Sequence, residues 1–189
     1  VQRAGWNGKG MWLRYVDLAT HVTRIEQPVT GQYRGFTVMK CGAWTQGPML
    51  LQTLRLLEGY ELASLGPTSP ECVHLSVESL KLALADRDEY YGDPLFSDVP
   101  LDALLSPSYA DVRRSLIDRD RASLEFRPGD PRHVKPLRET VPGKATGAGG
   151  PQRDTTTCLV ADRFGNVVAA TPSGWGGVVA GDTGVQLGS

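Results

Sequence analysis

The chain has 189 residues, of which 40% are hydrophobic and 22% charged, and its formal net charge at pH 7 is −1. This composition is that of a globular domain with a sizeable core and excludes disorder throughout. Without basic runs or excess charge, nothing points to nucleic acid or an anionic membrane, so a small molecule is the default partner. The sequence shows no metal-ligand constellation, no cofactor loop and no apolar run of the roughly 18–20 residues that span a bilayer.

Both ends of the chain are typical of cuts through a longer protein. The first residue is Val1 rather than methionine, no signal peptide follows, and the last residues come directly after an apparent strand over 184–187. We therefore expect a fragment. The compartment stays unknown, because any export signal would lie upstream.

The first third of the chain predicts a strand and then an apolar helix. Alternation from Tyr33 to Met39 predicts the strand, and the apolar run from Met49 to Leu62 predicts the helix. The glycines around Lys9 do not form a phosphate loop, because no Gly-Lys-Ser/Thr follows them. The amide of Gly47 lies at the helix N-terminus, where it would suit a ligand, but a plain loop-to-helix transition is the favoured interpretation.

Two further helices have explicit start signals. Ser69 and Ser106 each precede a proline, which predicts a capping serine followed by proline in the first turn. We expect these helices to end at Gly92 and near Ile117, respectively. The charged residues of the first one are interpreted as solvated or structural pairs without a catalytic role. Its core face is predicted from apolar residues at helical spacing, namely Val73, Val77, Leu80 and Leu84.

The composition changes after Phe126. Residues 127–154 contain prolines and glycines at intervals that exclude regular structure, so we predict a mobile connection there. The chain thus divides into residues 1–126, the linker 127–154, and residues 155–189.

A β-hairpin is predicted immediately after the linker. The three threonines and Cys158 to Ala161 form the first predicted strand, Asp162 to Asn166 the turn, and Val167 to Thr171 the second strand. A flexible linker directly before a threonine that begins a buried strand is the arrangement expected of an N-terminal nucleophile enzyme. A threonine freed by self-cleavage supplies a hydroxyl and an α-amine of reference pKa about 7.7–8 that serves as its base. Threonine is also common in ordinary strands, so a purely structural role stays open.

The three cysteines, Cys41, Cys72 and Cys158, lack the CxxC spacing of a zinc or redox site and are interpreted as buried thiols. A catalytic Cys158 is the weaker alternative. A nucleophilic cysteine wants a nearby histidine, but the histidines are scattered through other elements.

Three segments of the chain carry a family resemblance: Gly8-Lys9-Gly10-Met11, Asp17-Leu18 and Tyr33-Arg34-Gly35; then Glu78, Lys81-Leu82-Ala83, Ala85-Asp86-Arg87, Tyr90 and Gly92-Asp93-Pro94; then Asp154-Thr155-Thr156-Thr157, Val160-Ala161-Asp162-Arg163, Gly165-Asn166-Val167-Val168, Thr171 and Val179-Ala180-Gly181-Asp182-Thr183-Gly184. These segments resemble the γ-glutamyltransferase family, whose members include the glutathione hydrolases. The resemblance covers nearly the whole chain and implies an α+β fold, the αββα sandwich of N-terminal nucleophile hydrolases. It implies that residues 1–126 end the large subunit, 127–154 precede the cleavage site, and 155–189 begin the small subunit.

The resemblance also implies a mechanism. It places Thr155 at the family's nucleophile, with self-cleavage of a zymogen between Asp154 and Thr155, and with both subunits of one precursor remaining as a heterodimer. The Thr155 hydroxyl, with its own α-amine as base, would attack a γ-glutamyl amide such as glutathione. The acyl group would then pass to water or to an amino-acid acceptor. The linker moves aside after processing in this family, and members are often periplasmic, secreted or membrane-attached.

Several residues depart from the family pattern. Ser173 stands where a threonine usually bonds the nucleophile, and Thr157 stands where histidine is common. Trp175 replaces an asparagine that helps to hold the glutamate, and it belongs with Gly174 to a shortened connection that we expect to line the substrate pocket. Two alternatives therefore stay open: an acylase of the same family with a non-glutamyl acyl substrate, and an uncleaved, non-catalytic homologue that acts as a binding protein.

Overall fold

The computed structural model describes residues 5–6, 9–10, 16, 19–139 and 157–171. The chain divides into two compact units, one formed by residues 24–142 and the other by residues 1–23 with 143–189. Within the described ranges, no helix is both long enough and apolar enough to cross a membrane.

The unit of residues 24–142 begins with a β-hairpin. Strand β3, Val29–Tyr33, pairs antiparallel with β4, Phe36–Lys40, so that Val29 lies opposite Lys40. Arg34 and Gly35 connect them with φ angles of 48° and 85°. Positive φ at both central residues is the mark of the tight turn whose twist matches paired strands. The predicted single strand from Tyr33 to Met39 is therefore wrong, because its alternation continues across a turn.

Helix α1, Gly47–Leu57, is shorter than the predicted 49–62. The Arg114 side chain covers its C-terminal end, where Nε donates to the Leu56 carbonyl at 2.9 Å and Nη2 to the Arg55 carbonyl at 3.1 Å. Gly59 makes room for this guanidinium, since a Cβ there would lie 2.2 Å from Arg114 Nε. The short helix α2, Leu62–Leu65, follows.

The two predicted start signals are confirmed. Helix α3, Pro70–Tyr90, begins where Ser69 Oγ accepts from the Cys72 amide at 3.1 Å, and it ends within two residues of the predicted Gly92. After α4, Leu101–Leu104, helix α5, Pro107–Arg114, begins where Ser106 Oγ accepts from the Tyr109 amide at 3.2 Å. Both caps satisfy amide donors that the first turn leaves without a helical partner.

The predicted core face of α3 is wrong. Val73, Val77 and Leu80 are 51%, 46% and 37% exposed, and a different face of α3 packs inward. The apolar pattern did not predict this face, because polar residues interrupt it. The charged ones among these polar residues can be buried because they have hydrogen-bond and charge partners on other parts of the chain. Its buried residues are Leu75, Glu78, Ser79, Leu82, Ala83, Ala85 and Asp86. The core of the unit combines this face with α1 and α5 and consists of Leu56, Leu75, Leu82, Ala110 and Ile117.

Among its described residues, the other unit contains two short antiparallel pairs. Strand β1, Gly5–Trp6, pairs with β2, Lys9–Gly10. Strand β5, Cys158–Ala161, pairs with β6, Val167–Ala170, which confirms the predicted hairpin over these residues. Every residue of β5 and β6 is exposed. The buried-thiol interpretation is wrong for two cysteines: all three are free thiols, Cys41 and Cys158 are exposed, and Cys72 is half-buried.

Candidate active-site hairpin

The β5–β6 hairpin leads directly to the predicted nucleophile. Its register pairs Cys158 with Ala170 and Ala161 with Val167 without a bulge. Each step back along β5 is therefore matched by one step forward along β6. Register in a hairpin is set by its turn, so the turn at residues 162–166 decides which residues face each other at the open end.

Asp162 organises that turn. Its Oδ1 accepts from the backbone amides of Phe164 at 2.8 Å and Asn166 at 3.0 Å, and its Oδ2 accepts from Asn166 Nδ2 at 2.7 Å. Gly165 has the φ of 85° that this geometry requires. The Asn166 side-chain bond and the backbone donors lower the pKa of Asp162, because they stabilise the ionised carboxylate.

Two threonines close the open end of the hairpin. Thr157 precedes β5 and Thr171 follows β6, and their Oγ1 atoms lie 3.2 Å apart, so that either hydroxyl donates to the other. This contact continues the strand register by one more pair. Sequence reasoning noted Thr157 only as a departure from a family pattern and missed its partnership with Thr171. The signal was present in the sequence, since the two threonines are equally spaced from the turn.

The predicted site residues lie outside the described residues. These are the cleavage pair Asp154 and Thr155, the hydrogen-bonding Ser173, and the pocket residues Gly174 and Trp175. The structure describes their neighbours on both strands, Thr157 and Thr171. Within the described part of the chain, no group of three or more histidine, cysteine, aspartate and glutamate side chains is arranged to hold a metal ion.

A second polar cluster lies inside the unit of residues 24–142. The side chains of Asp86 on α3 and Arg113 on α5 are both fully buried, with Asp86 Oδ1 3.2 Å from Arg113 Nη2. Asp86 Oδ2 also accepts from Gln52 Nε2 at 2.5 Å and from the Tyr109 hydroxyl at 3.0 Å. The Gly129 amide donates to Asp86 Oδ1 at 2.8 Å. We call Asp86 and these four partners the Asp86 network.

The network holds the first part of the predicted 127–154 linker against the helices. Arg113 donates to the carbonyls of Arg127 at 2.7 Å and Pro136 at 2.6 Å. The Tyr90 hydroxyl donates to the Gly129 carbonyl at 2.8 Å. Burial raises the pKa of Asp86 and of the Tyr109 hydroxyl above their ordinary values, and the Arg113 charge opposes both shifts. A fully buried and bonded pair has no access to substrate, so its role is structural.

The N-terminus of α1 shows a plain loop-to-helix transition. The Gly47 amide already donates to Thr45 Oγ1 at 3.0 Å, and a Cβ on Gly47 would lie 2.7 Å from the Cys41 carbonyl oxygen. The close packing explains why glycine stands at this position. The interpretation favoured from the sequence is confirmed.

Comparison with known proteins identifies a family whose model matches the chain. The whole chain, residues 1–189, matches the family model described as gamma-glutamyltranspeptidase. The acylase ACY 1 proenzyme of Pseudomonas sp. (strain SE83) is 37% identical over 156 residues, which cover 82% of this chain and 25% of that protein. The glutathione hydrolase proenzyme of Escherichia coli is 34% identical over 176 residues, which cover 90% of this chain and 28% of that protein. The chain thus spans about a quarter of the length of these curated relatives.

A solved structure gives the fold. The gamma-glutamyltranspeptidase of Helicobacter pylori matches with a TM-score of 0.56 and 32% identity, over 58% of this chain and 32% of that one. This similarity, together with the helices and small antiparallel sheets described above, confirms the expected α+β class and the αββα sandwich of N-terminal nucleophile hydrolases.

Proposed function

Because the chain belongs to the γ-glutamyltranspeptidase family, we propose that it is part of a self-processing amide hydrolase with Thr155 as nucleophile. Residues 1–126 end the large subunit, 127–154 precede the cleavage site, and 155–189 begin the small subunit. The substrate is a γ-glutamyl amide such as glutathione, and the acceptor is water or an amino acid.

The register of the β5–β6 hairpin is the observation that supports this proposal. Thr157 and Thr171 face each other across the strands. The same pairing, continued by two residues, would set Thr155 opposite Ser173 and on the same side of the sheet, since side chains alternate between faces. Directly opposite residues have Cβ atoms about 4.5–5.5 Å apart, a distance that two hydroxyls bridge with one hydrogen bond. Ser173 would thus take over the threonine's usual bond to the nucleophile.

The proposed self-cleavage starts at the Thr155 hydroxyl. Its oxygen attacks the carbonyl carbon of Asp154, the peptide C–N bond breaks, and the nitrogen of Thr155 takes up the proton. The resulting ester is hydrolysed by water, which leaves a carboxylate on Asp154 and a free α-amine on Thr155.

The same hydroxyl then performs catalysis. The α-amine, with a reference pKa of about 7.7–8, takes the proton from the Thr155 hydroxyl as its oxygen attacks the substrate amide. The departing amine receives that proton, and an acyl ester remains on Thr155. Water or an acceptor amine attacks the ester and releases the acyl group.

A second candidate is an acylase with a non-glutamyl substrate. It is favoured by the 37% identity to the acylase ACY 1 proenzyme and by Trp175, an apolar side chain where the family has an asparagine that helps to hold glutamate. A site built to hydrogen-bond a substrate discriminates far more strongly than an apolar wall. Replacing asparagine by tryptophan therefore favours apolar acyl groups over the polar glutamyl group.

Processing is tested by intact mass and N-terminal sequencing of the complete precursor beside its Thr155→Ala and Thr155→Ser variants. We expect a new N-terminus Thr-Thr-Thr-Cys in the wild type, slower cleavage in Thr155→Ser and none in Thr155→Ala. An unbroken chain in the wild type would contradict the proposal and favour a binding protein.

Specificity is tested with γ-glutamyl and apolar acyl anilides on the processed protein and its Trp175→Asn variant. We expect the variant to shift the ratio of kcat/KM toward the γ-glutamyl anilide by about tenfold or more, as a restored hydrogen bond would. Turnover of apolar acyl anilides alone by both proteins would reject the γ-glutamyl substrate and favour the acylase.

A further inference from the structure

The two ends of the β5–β6 hairpin are held by different means. At the turn, the Asp162 carboxylate binds the amides of Phe164 and Asn166. At the open end, the hydroxyls of Thr157 and Thr171 bind each other at 3.2 Å. Strand ends fray when nothing ties them together. The hydroxyl pair therefore holds the strands together at the point where the chain enters and leaves the hairpin.

We propose that Thr157 and Thr171 are positioning residues for self-cleavage and catalysis at Thr155, an inference that rests on the proposed function. Thr155 lies two residues before Thr157, which is about 7 Å along an extended strand. This separation exceeds hydrogen-bond reach, so the pair acts through the strand and not on the reacting atoms. By tying the strands at their open end, the pair would keep the register that the turn sets as far as the residues next to the nucleophile.

The pair acts on geometry and carries no charge or transferable proton in the reaction. Misplacing a nucleophile by about 1 Å costs on the order of a hundredfold in rate. Loss of the pair therefore lowers the rate constants for self-cleavage and for acyl transfer together. It leaves substrate affinity and the pH profile unchanged, because neither the pocket nor the α-amine is altered.

The test uses Thr157→Val, Thr171→Val and the double variant in the complete precursor. Valine keeps the branched shape and strand preference of threonine but removes the hydroxyl. We expect the first-order rate constant of self-cleavage, and kcat with the anilide that the wild type turns over, to fall roughly tenfold to a hundredfold. KM should stay within about twofold, and the double variant should resemble each single one, because a single bond is lost.

Two controls separate positioning from a general loss of stability. Thr157→Ser and Thr171→Ser keep the hydroxyl and should restore both rates to near wild type. Thr37→Val removes a comparable cross-strand bond, from Gln32 Nε2 to Thr37 Oγ1 at 2.9 Å in the β3–β4 hairpin, and should change neither rate.

The outcomes distinguish this inference from the proposed function. If the wild type splits before Thr155 and the valine variants split and turn over at wild-type rates, the positioning role alone is lost. If the valine variants slow but serine does not restore the rates, the effect is structural and the role is likewise lost. If the wild type does not split, the proposed function is lost and this inference with it. Should a valine variant precipitate, Thr157→Ala, which also lacks the hydroxyl, must give the same slowing.

Discussion

The unit of residues 24–142 and the β5–β6 hairpin differ in burial: the first has a buried core, whereas every strand residue of the hairpin is exposed. The first has a core between α1, α3 and α5 and buries even an ion pair, Asp86 with Arg113. In the hairpin, Leu159 and Val168 are 72% and 62% exposed, and apolar side chains occupy both faces. Strands with apolar residues on both faces are typical of sheets covered from two sides. The unit of residues 24–142 is thus stabilised by its own packing, whereas the hairpin owes its shape to local bonds.

The largest expected effect comes from breaking the Asp86 network. Arg113→Met should lower the free energy of unfolding by about 3–5 kcal/mol, because it leaves the Asp86 carboxylate buried without its charge partner. Urea unfolding followed by far-UV circular dichroism measures the loss. The matched control is Arg132→Met, whose partner Asp98 is exposed and which should cost about 0–1 kcal/mol. Equal losses in both variants would show that the network contributes no more than a surface pair.

A smaller effect is expected from Gly129→Ala. A Cβ there would lie 2.1 Å from the Tyr109 hydroxyl oxygen and 2.8 Å from Arg113 Cδ, so residues 127–138 must shift away from the helices. We expect a loss of about 1–3 kcal/mol and faster trypsin cleavage after Arg132 and Arg138. Gly42→Ala, whose nearest contact would be an ordinary 3.4 Å, should change neither. Unchanged cleavage in Gly129→Ala would mean that this segment is not held by the network.

The smallest expected effect concerns the hairpin turn. Bonds from Asn166 and Phe164 lower the pKa of Asp162 below the ordinary 3.8. Because folding lowers the pKa of Asp162, the ionised carboxylate stabilises the turn at pH values above the ordinary pKa. This stabilisation is lost as the pH falls through the pKa of the folded state. Amide chemical shifts of Phe164 and Asn166 should therefore move at a pH below 3.8, and they should not do so in Asp162→Asn. A midpoint above 3.8 would contradict the described turn.

Local chemistry made several features predictable. Serine before proline predicted the start of α3 and of α5, because the cap bond and the proline act within one turn. The hairpin was predicted from Asp162, Gly165 and the β-branched residues on either side of them, because a turn and its strands also depend on residues close together in the chain. The predictions failed where a local pattern was misleading. Alternation continued across the turn at Arg34 and Gly35, and the regular apolar face of α3 is exposed, whereas polar residues interrupt the buried face. For the candidate site, sequence predicted Thr155 and Ser173 through family resemblance but missed the contact between Thr157 and Thr171.

The sequence by itself determined the family, the helix starts and the hairpin, since these depend on residues close together in the chain or on a motif read as a whole. Only the tertiary structure decided which face of α3 is buried. That choice depends on Gln52, Tyr109 and Arg113, which come from distant parts of the chain and satisfy the Asp86 carboxylate in the interior. A charged residue is buried when its partners are present, and partners brought together by folding are invisible to periodicity.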